Sequence, residues 1–289
     1  MTSTTTAFLA VSQNLSRYQT MTAAEPAVKT ATAYYEANIG SVKSVQDLVG
    51  NYRLLSYALN AYGLGDQINS KGLITKVLEG GVSNPKSLAN TLPNSQWKAF
   101  AAAFNFVDSG TTPPSSTSAV ATTTSDYVEQ QLESDQGGQD VGVQLALYFQ
   151  RVAPTVTSEY GILADPNLLE VAATIMGLPP SAAADLQPQT LSELMPISDL
   201  KDPAKLNQLT ERFTAMYEYT YGTSSGATAG LSVDSGNSSD QSGAATVLAS
   251  IISSNGSALG SALNNFTGST QPIFSTALMS SISRLTLGG

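Results

Sequence analysis

The chain has 289 residues and a mass of 30.0 kDa, and 42% of its residues are apolar, which is enough to bury a substantial core. It contains neither Cys nor His, which excludes disulfides, thiolate nucleophiles, imidazole bases and most zinc sites. The formal net charge is −9 and the pI is near 4.4, and so acidic a chain is a poor binder of duplex nucleic acid.

Residues 1–20 are a Ser/Thr-rich N-terminal segment with no Lys or Arg before Arg17. A secretory leader needs a basic start and roughly 7–15 apolar residues, whereas the apolar run here ends at Val11. No stretch contains the roughly 20 apolar residues of a membrane-spanning helix. We therefore expect no membrane span, and any export would use a route without a leader.

Residues 21–107 have the pattern of a first helical repeat. Apolar residues recur at helical spacing in the segment that follows Asn51, which is suited to be the N-cap of a helix. Gly63 is suited to end that helix. Strand patterns with Asn-Gly or Asp-Gly turns are lacking, so the predicted fold class is all-α.

Residues 108–125 are predicted to be a linker, because they are small, polar and interrupted by proline. A second helical repeat is predicted over 126–221. In it, Asp165 is a candidate N-cap with Pro166 at the first helical position, and Gly177 is a candidate stop. A later helix is predicted to begin at Asp202-Pro203.

The two repeats resemble each other when the chain is shifted by 114 residues. Over 34–64 and 148–178, eight of 31 positions are identical without a gap. The shared residues are mostly apolar or suited to capping, as two copies of one fold would keep. This predicts an internal duplication on the pairs Tyr34/Tyr148, Val42/Val156, Ser44/Ser158, Leu54/Leu168, Leu55/Leu169, Ala58/Ala172, Gly63/Gly177 and Leu64/Leu178.

Residues 222–289 form a low-complexity tail, in which 38 of 68 residues are Gly, Ser, Thr or Asn. Apolar stripes within it predict short amphipathic helices, which are marginal alone and must pack on something. Packing on the body of the protein and docking on a partner both remain open. The candidate docking residues are Val247, Leu248, Ile251, Phe274, Leu278, Ile282 and Leu285.

Candidates for chemistry are few. Glu133, Asp135 and Asp140 surround Gly137-Gly138, and paired carboxylates could bind calcium or act as general acid and base, although the EF-hand spacing is absent. A solvated surface is the favoured explanation of these carboxylates. Trp97 is expected to pack in the core. No catalytic residue, cofactor or metal is predicted.

The first repeat contains a series of characteristic motifs. They are Glu25-Pro26, Tyr34-Tyr35, Val42-Lys43-Ser44-Val45, Asp47-Leu48, Leu54-Leu55, Tyr57-Ala58-Leu59, Ala61-Tyr62-Gly63-Leu64, Leu78-Glu79-Gly80-Gly81 and Phe100 to Phe106. In these motifs the repeat resembles the bacterial domain of unknown function numbered 1217. The resemblance implies a helical fold that can occur in more than one copy per chain, mostly in alphaproteobacteria and often encoded among flagellar genes. It implies no catalytic residue.

Three functions follow as hypotheses. The first is a non-enzymatic structural or assembly protein of the flagellum, acting by helix packing on itself or on basal-body, hook or filament components. It would be located in the flagellum or outside the cell. The second is a cytoplasmic chaperone or regulator of flagellar export. The third is a hydrolase that uses the carboxylates.

Overall fold

The computed structural model describes residues 3–107, 116–178 and 180–221, which contain helices and turns and no strand. The prediction of an all-α protein is therefore confirmed for this part of the chain. Its α-helices are α1 (Thr4–Ser12), α2 (Leu15–Ala24), α3 (Pro26–Ile39), α4 (Val45–Gly50), α5 (Tyr52–Ala61), α6 (Lys71–Gly80), α7 (Leu88–Thr91), α8 (Ser95–Ala103), α9 (Thr117–Gly137), α10 (Val141–Val152), α11 (Glu159–Leu163), α12 (Pro166–Ile175), α13 (Pro188–Leu194), α14 (Ile197–Leu200) and α15 (Pro203–Tyr221).

The first core lies among α3 to α8. Leu48, Leu55 and Leu59 are fully buried in it together with Phe100. The expected caps are present, since the Asn51 side chain accepts from Leu54 N at 3.2 Å. Trp97 is 6% exposed and meets Phe100 edge-on, which confirms its place in this core.

The second core lies among α10 to α15. Phe149, Val171 and Phe213 are buried in it, and Asp165 caps α12 ahead of Pro166 as predicted. This core also receives α1, whose Phe8 is buried among residues of α10 and α15. The N-terminal segment predicted over 1–20 is thus α1 and most of α2, and it contributes to the fold of the second repeat.

Helix α9 belongs to both cores. Tyr127 stacks on Tyr57 of α5 with ring centroids 3.9 Å apart, and Leu132 is buried in the second core. The linker prediction was wrong over 117–125, because these residues form the first turns of α9, capped by Ser116. Burial of Thr123 against α5 outweighs the weak helix propensity of a Thr-rich sequence. Residues 108–115 lie outside the described residues.

The two halves have their helices in the same order at the 114-residue offset. Helix α5 and helix α12 begin and end at equivalent residues, and α4 and α11 begin at equivalent residues. Gly63 and Gly177 each follow the end of their helix with positive φ angles of 67° and 70°, which glycine adopts at little cost. These features agree with a duplication, which stays a prediction.

The predicted division at residue 125 does not separate two compact bodies. All described residues fall within one compact unit, in which α9 joins the halves. A second contact joins them where Ser95 Oγ lies 3.0 Å from Thr155 Oγ1. No helix in the described ranges is both long and apolar enough to cross a membrane.

Candidate functional site

The three carboxylates singled out in the sequence do not share a site. Glu133 is buried and paired with Arg151, whereas Asp135 is exposed. Asp140 is the N-cap of α10, where it accepts from Gly142 N at 2.8 Å and from Thr4 Oγ1 at 2.8 Å. Across the described ranges, no group of three or more acidic side chains is arranged to hold a metal ion. The hydrolase hypothesis therefore has no assembled site on these residues.

A buried polar cluster lies where α9 crosses α10 and the N-terminus of α12; we define it as Gln130, Glu133, Tyr148, Arg151 and Asp165. The Arg151 guanidinium makes two charged hydrogen bonds to Glu133, at 2.6 Å and 2.8 Å. It also donates to Gln130 Oε1 at 2.8 Å. Such a two-point contact is the arrangement in which an arginine and a carboxylate bind most strongly.

The cluster is completed by the Tyr148 hydroxyl, which donates to Asp165 Oδ2 at 2.6 Å. The other carboxylate oxygen of Asp165 accepts from Asn167 N and Leu168 N, and so caps α12. Burial and the adjacent Asp165 charge raise the pKa of Tyr148, which keeps this hydroxyl a donor.

Burial raises the pKa of Glu133, and the paired Arg151 opposes that shift. The two short hydrogen bonds from Arg151 favour the ionised form of Glu133 and so oppose the effect of its burial. Because both oxygens of Glu133 are engaged, this carboxylate is not free to accept a proton from a substrate. The buried polar cluster accordingly connects helices.

A second tyrosine-centred group is on the surface of the first half; we define the Tyr34 face as Tyr34, Asn51, Tyr52 and Arg53. The Arg53 guanidinium carbon lies 3.6 Å from the centroid of the Tyr34 ring, a cation–π contact. Asn51 Nδ2 donates to Tyr34 Oη at 3.3 Å. The Tyr52 residue is 64% exposed, so the face presents aromatic surface and a positive charge to solvent.

The docking residues predicted between Val247 and Leu285 lie outside the described residues, so their role stays a prediction. Sequence reasoning missed both Arg151 and the Tyr34 face. A signal for Arg151 was present, because it is the only charged residue between Val141 and Val152 and a buried charge requires a partner.

A family model described as "Protein of unknown function (DUF1217)" matches residues 61–206, about half of the chain. The chain belongs to the DUF1217 family. The match begins at the end of α5, includes α9 and ends in α15. Its extent differs from the resemblance over 25–106, because the DUF1217 match spans parts of both halves.

A protein similar to this chain has been solved by X-ray crystallography. The chain is similar to a protein from Agrobacterium tumefaciens, with 36% sequence identity and a TM-score of 0.69. The similarity covers 75% of this chain and 93% of the Agrobacterium chain. No curated protein matches the chain.

Proposed function

We propose that the protein is a non-enzymatic structural or assembly protein of the bacterial flagellum, acting by helix packing on itself or on flagellar partners. The observation that carries the binding role is the Tyr34 face, where Tyr52 and Arg53 are exposed side by side. Aromatic residues and arginine are the side chains most enriched at protein interfaces.

The placement of the charged groups supports a binding role over a catalytic role. Glu133 is engaged by Arg151, and Asp140 and Asp165 are engaged in helix caps. Catalysis by a general base requires a carboxylate within reach of a substrate proton. The flagellar assignment comes from the resemblance to a domain often encoded among flagellar genes.

Pull-down of the full chain from flagellated cells tests this proposal, with a matched form that lacks residues 222–289. We expect basal-body, hook or filament components to copurify with the full chain. Loss of these components from the shortened form would assign docking to the tail, and their retention would assign it to the body. A deletion strain with normal flagella and motility would contradict the proposal.

Cell fractionation separates the flagellar structural role from a role in export. We expect the protein in the flagellar or extracellular fraction. Confinement to the cytoplasm together with binding to export substrates would instead favour a chaperone or regulator.

A further inference from the structure

The Tyr34 face has a counterpart inside the molecule. Tyr34 and Tyr148 lie at equivalent positions near the ends of α3 and α10, 114 residues apart. The hydroxyl of each is hydrogen-bonded to the N-cap residue of a later helix, which is Asn51 for Tyr34 and Asp165 for Tyr148. The two tyrosines therefore have the same kind of partner in the two halves, although Tyr148 is buried and Tyr34 is half-buried.

An arginine accompanies each tyrosine. Arg53 lies over the Tyr34 ring, and the guanidinium carbon of Arg151 is 5.3 Å from the centroid of the Tyr148 ring. The arginines come from non-equivalent positions, since Arg53 is in α5 and Arg151 is in α10. Each half thus presents a tyrosine, a capping side chain and a guanidinium together.

The two groups differ in what covers them. In the second half, α9 lies across the group and places Gln130 and Glu133 on Arg151. In the first half, no carboxylate of the described residues is within ion-pair distance of Arg53, which is exposed. The Tyr34 face thus combines a tyrosine with an exposed guanidinium, the group that binds the Gln–Glu side of α9 in the buried polar cluster.

The chain contains one further helix with that pattern. Glutamine followed three residues later by glutamate occurs twice in the whole sequence, at Gln130–Glu133 and at Gln208–Glu211. The second pair is on α15, where both side chains are exposed. Residues three apart on a helix point to the same side, so α15 presents an amide and a carboxylate one turn apart, as α9 does.

We propose that the Tyr34 face of one copy binds the Gln208–Glu211 side of α15 in a second copy. Arg53 would pair with Glu211, and Tyr34 and Tyr52 would pack along α15. The two surfaces are different patches of one chain, so the contact is heterologous and joins copies head to tail into a ring or a filament. This proposed contact rests on the proposed binding function, and it identifies the surface through which copies of the chain would associate.

Charge reversal on the full chain tests the pairing, with association measured by sedimentation velocity over a range of concentrations. The wild type is expected to self-associate. Arg53→Glu and Glu211→Arg are each expected to weaken association by at least about 30-fold, because each opposes like charges. The double variant Arg53→Glu/Glu211→Arg is expected to recover most of it, as is an equimolar mixture of the two single variants.

The matched controls are Arg17→Glu and Glu193→Arg, which reverse exposed charges outside both surfaces. They are expected to associate like the wild type, and unfolding midpoints in urea check that every variant is folded. A monomeric wild type, unaffected association of Arg53→Glu, or failure of the double variant to recover would each overturn the inference. Because these measurements use the purified chain, failure here leaves the flagellar proposal to be decided in cells.

Discussion

Among the charged residues of the described structure, Arg151 is the one whose removal we expect to destabilise the fold most. It lies on α10 with its side chain 19% exposed, and Glu133 opposite is 4% exposed. Removing one member of a buried pair leaves the other charge without compensation, which is far more costly than losing an exposed pair.

We expect Arg151→Ala to lower the free energy of unfolding by about 3–5 kcal/mol, because Glu133 would stay buried without its partner. Urea denaturation at pH 7 measures the loss. Lys205→Ala is the matched control, since Lys205 forms an ion pair with Asp199 at the surface and its removal should change stability little. Equal effects of the two substitutions would contradict a structural role for the buried polar cluster.

Asp126 makes stability depend on pH. Burial raises the pKa of Asp126 from 3.8 to about 6, with Glu129 adding to the shift and Arg151 opposing it. The folded protein therefore holds this proton more tightly than the unfolded chain, and stability from this group is lost as pH rises through about 6. Since Asp126 is only half-buried, solvent screening limits the effect to about 1 kcal/mol.

Asp126→Asn is expected to be more stable than the wild type at pH 8. Its advantage at pH 5 is expected to be about half as large, because pH 5 lies between the unfolded pKa of 3.8 and the folded pKa of about 6. Urea unfolding at both pH values tests this expectation. The exposed Asp185→Asn is the control, which should leave the pH dependence of the wild type unchanged. If the wild type were more stable than Asp126→Asn at pH 8, ionised Asp126 would be stabilising, which would contradict the raised pKa of this residue.

The starts of individual helices were the features of this structure that the sequence predicted best. The caps at Asn51, Asp165 and Asp202, with proline after the last two, gave the starts of α5, α12 and α15 because capping is a local interaction. The start of α9 was missed because it is fixed by contact with α5, which lies far away in sequence. The Glu133–Arg151 pair was missed for the same reason, although the isolation of Arg151 in an apolar segment was visible.

The packing of α10 against α1 and α15 depends on Gly142. A Cβ atom at this position would lie 2.7 Å from both Thr4 Cγ2 and Tyr217 Cε1, so these side chains or the helices that hold them would have to shift. We expect Gly142→Ala to destabilise the protein by about 1–3 kcal/mol, which thermal or urea unfolding would measure.

Gly72→Ala is the matched control for Gly142→Ala. Gly72 is also near the start of a helix, and no atom lies within 4 Å of where its Cβ would be. Alanine there should stabilise the protein by about 0.5–1 kcal/mol through helix propensity. Tolerance of alanine at Gly142 would mean that the three helices are not closely packed there.

At the scale of the whole molecule, α9 couples the two halves. Because it contributes Tyr127 to the first core and Leu132 to the second, we expect the halves to unfold together. Trp97, the single tryptophan, reports on the first half alone. A substitution in the second core should therefore be visible in its fluorescence.

Phe213→Ala tests this coupling, because Phe213 is fully buried in the second core and its truncation should cost about 3–5 kcal/mol. The midpoint of urea unfolding is expected to fall equally by Trp97 fluorescence and by far-UV circular dichroism. Tyr160→Ala, at a residue that is 62% exposed, should leave both midpoints in place. A fluorescence midpoint that does not move would show that the halves unfold independently.

Helix α1 is needed to complete the second core, although it lies at the other end of the described chain from α15. Thr5 Oγ1 lies 3.2 Å from Thr214 Oγ1, across 209 residues of sequence, and Phe8 is buried in the same core. The ribosome makes α1 before α15, so α1 stays unpaired until its partner helix has been synthesised. A fusion or tether that restrains α1 would leave the second core without Phe8, whereas the first core could still form.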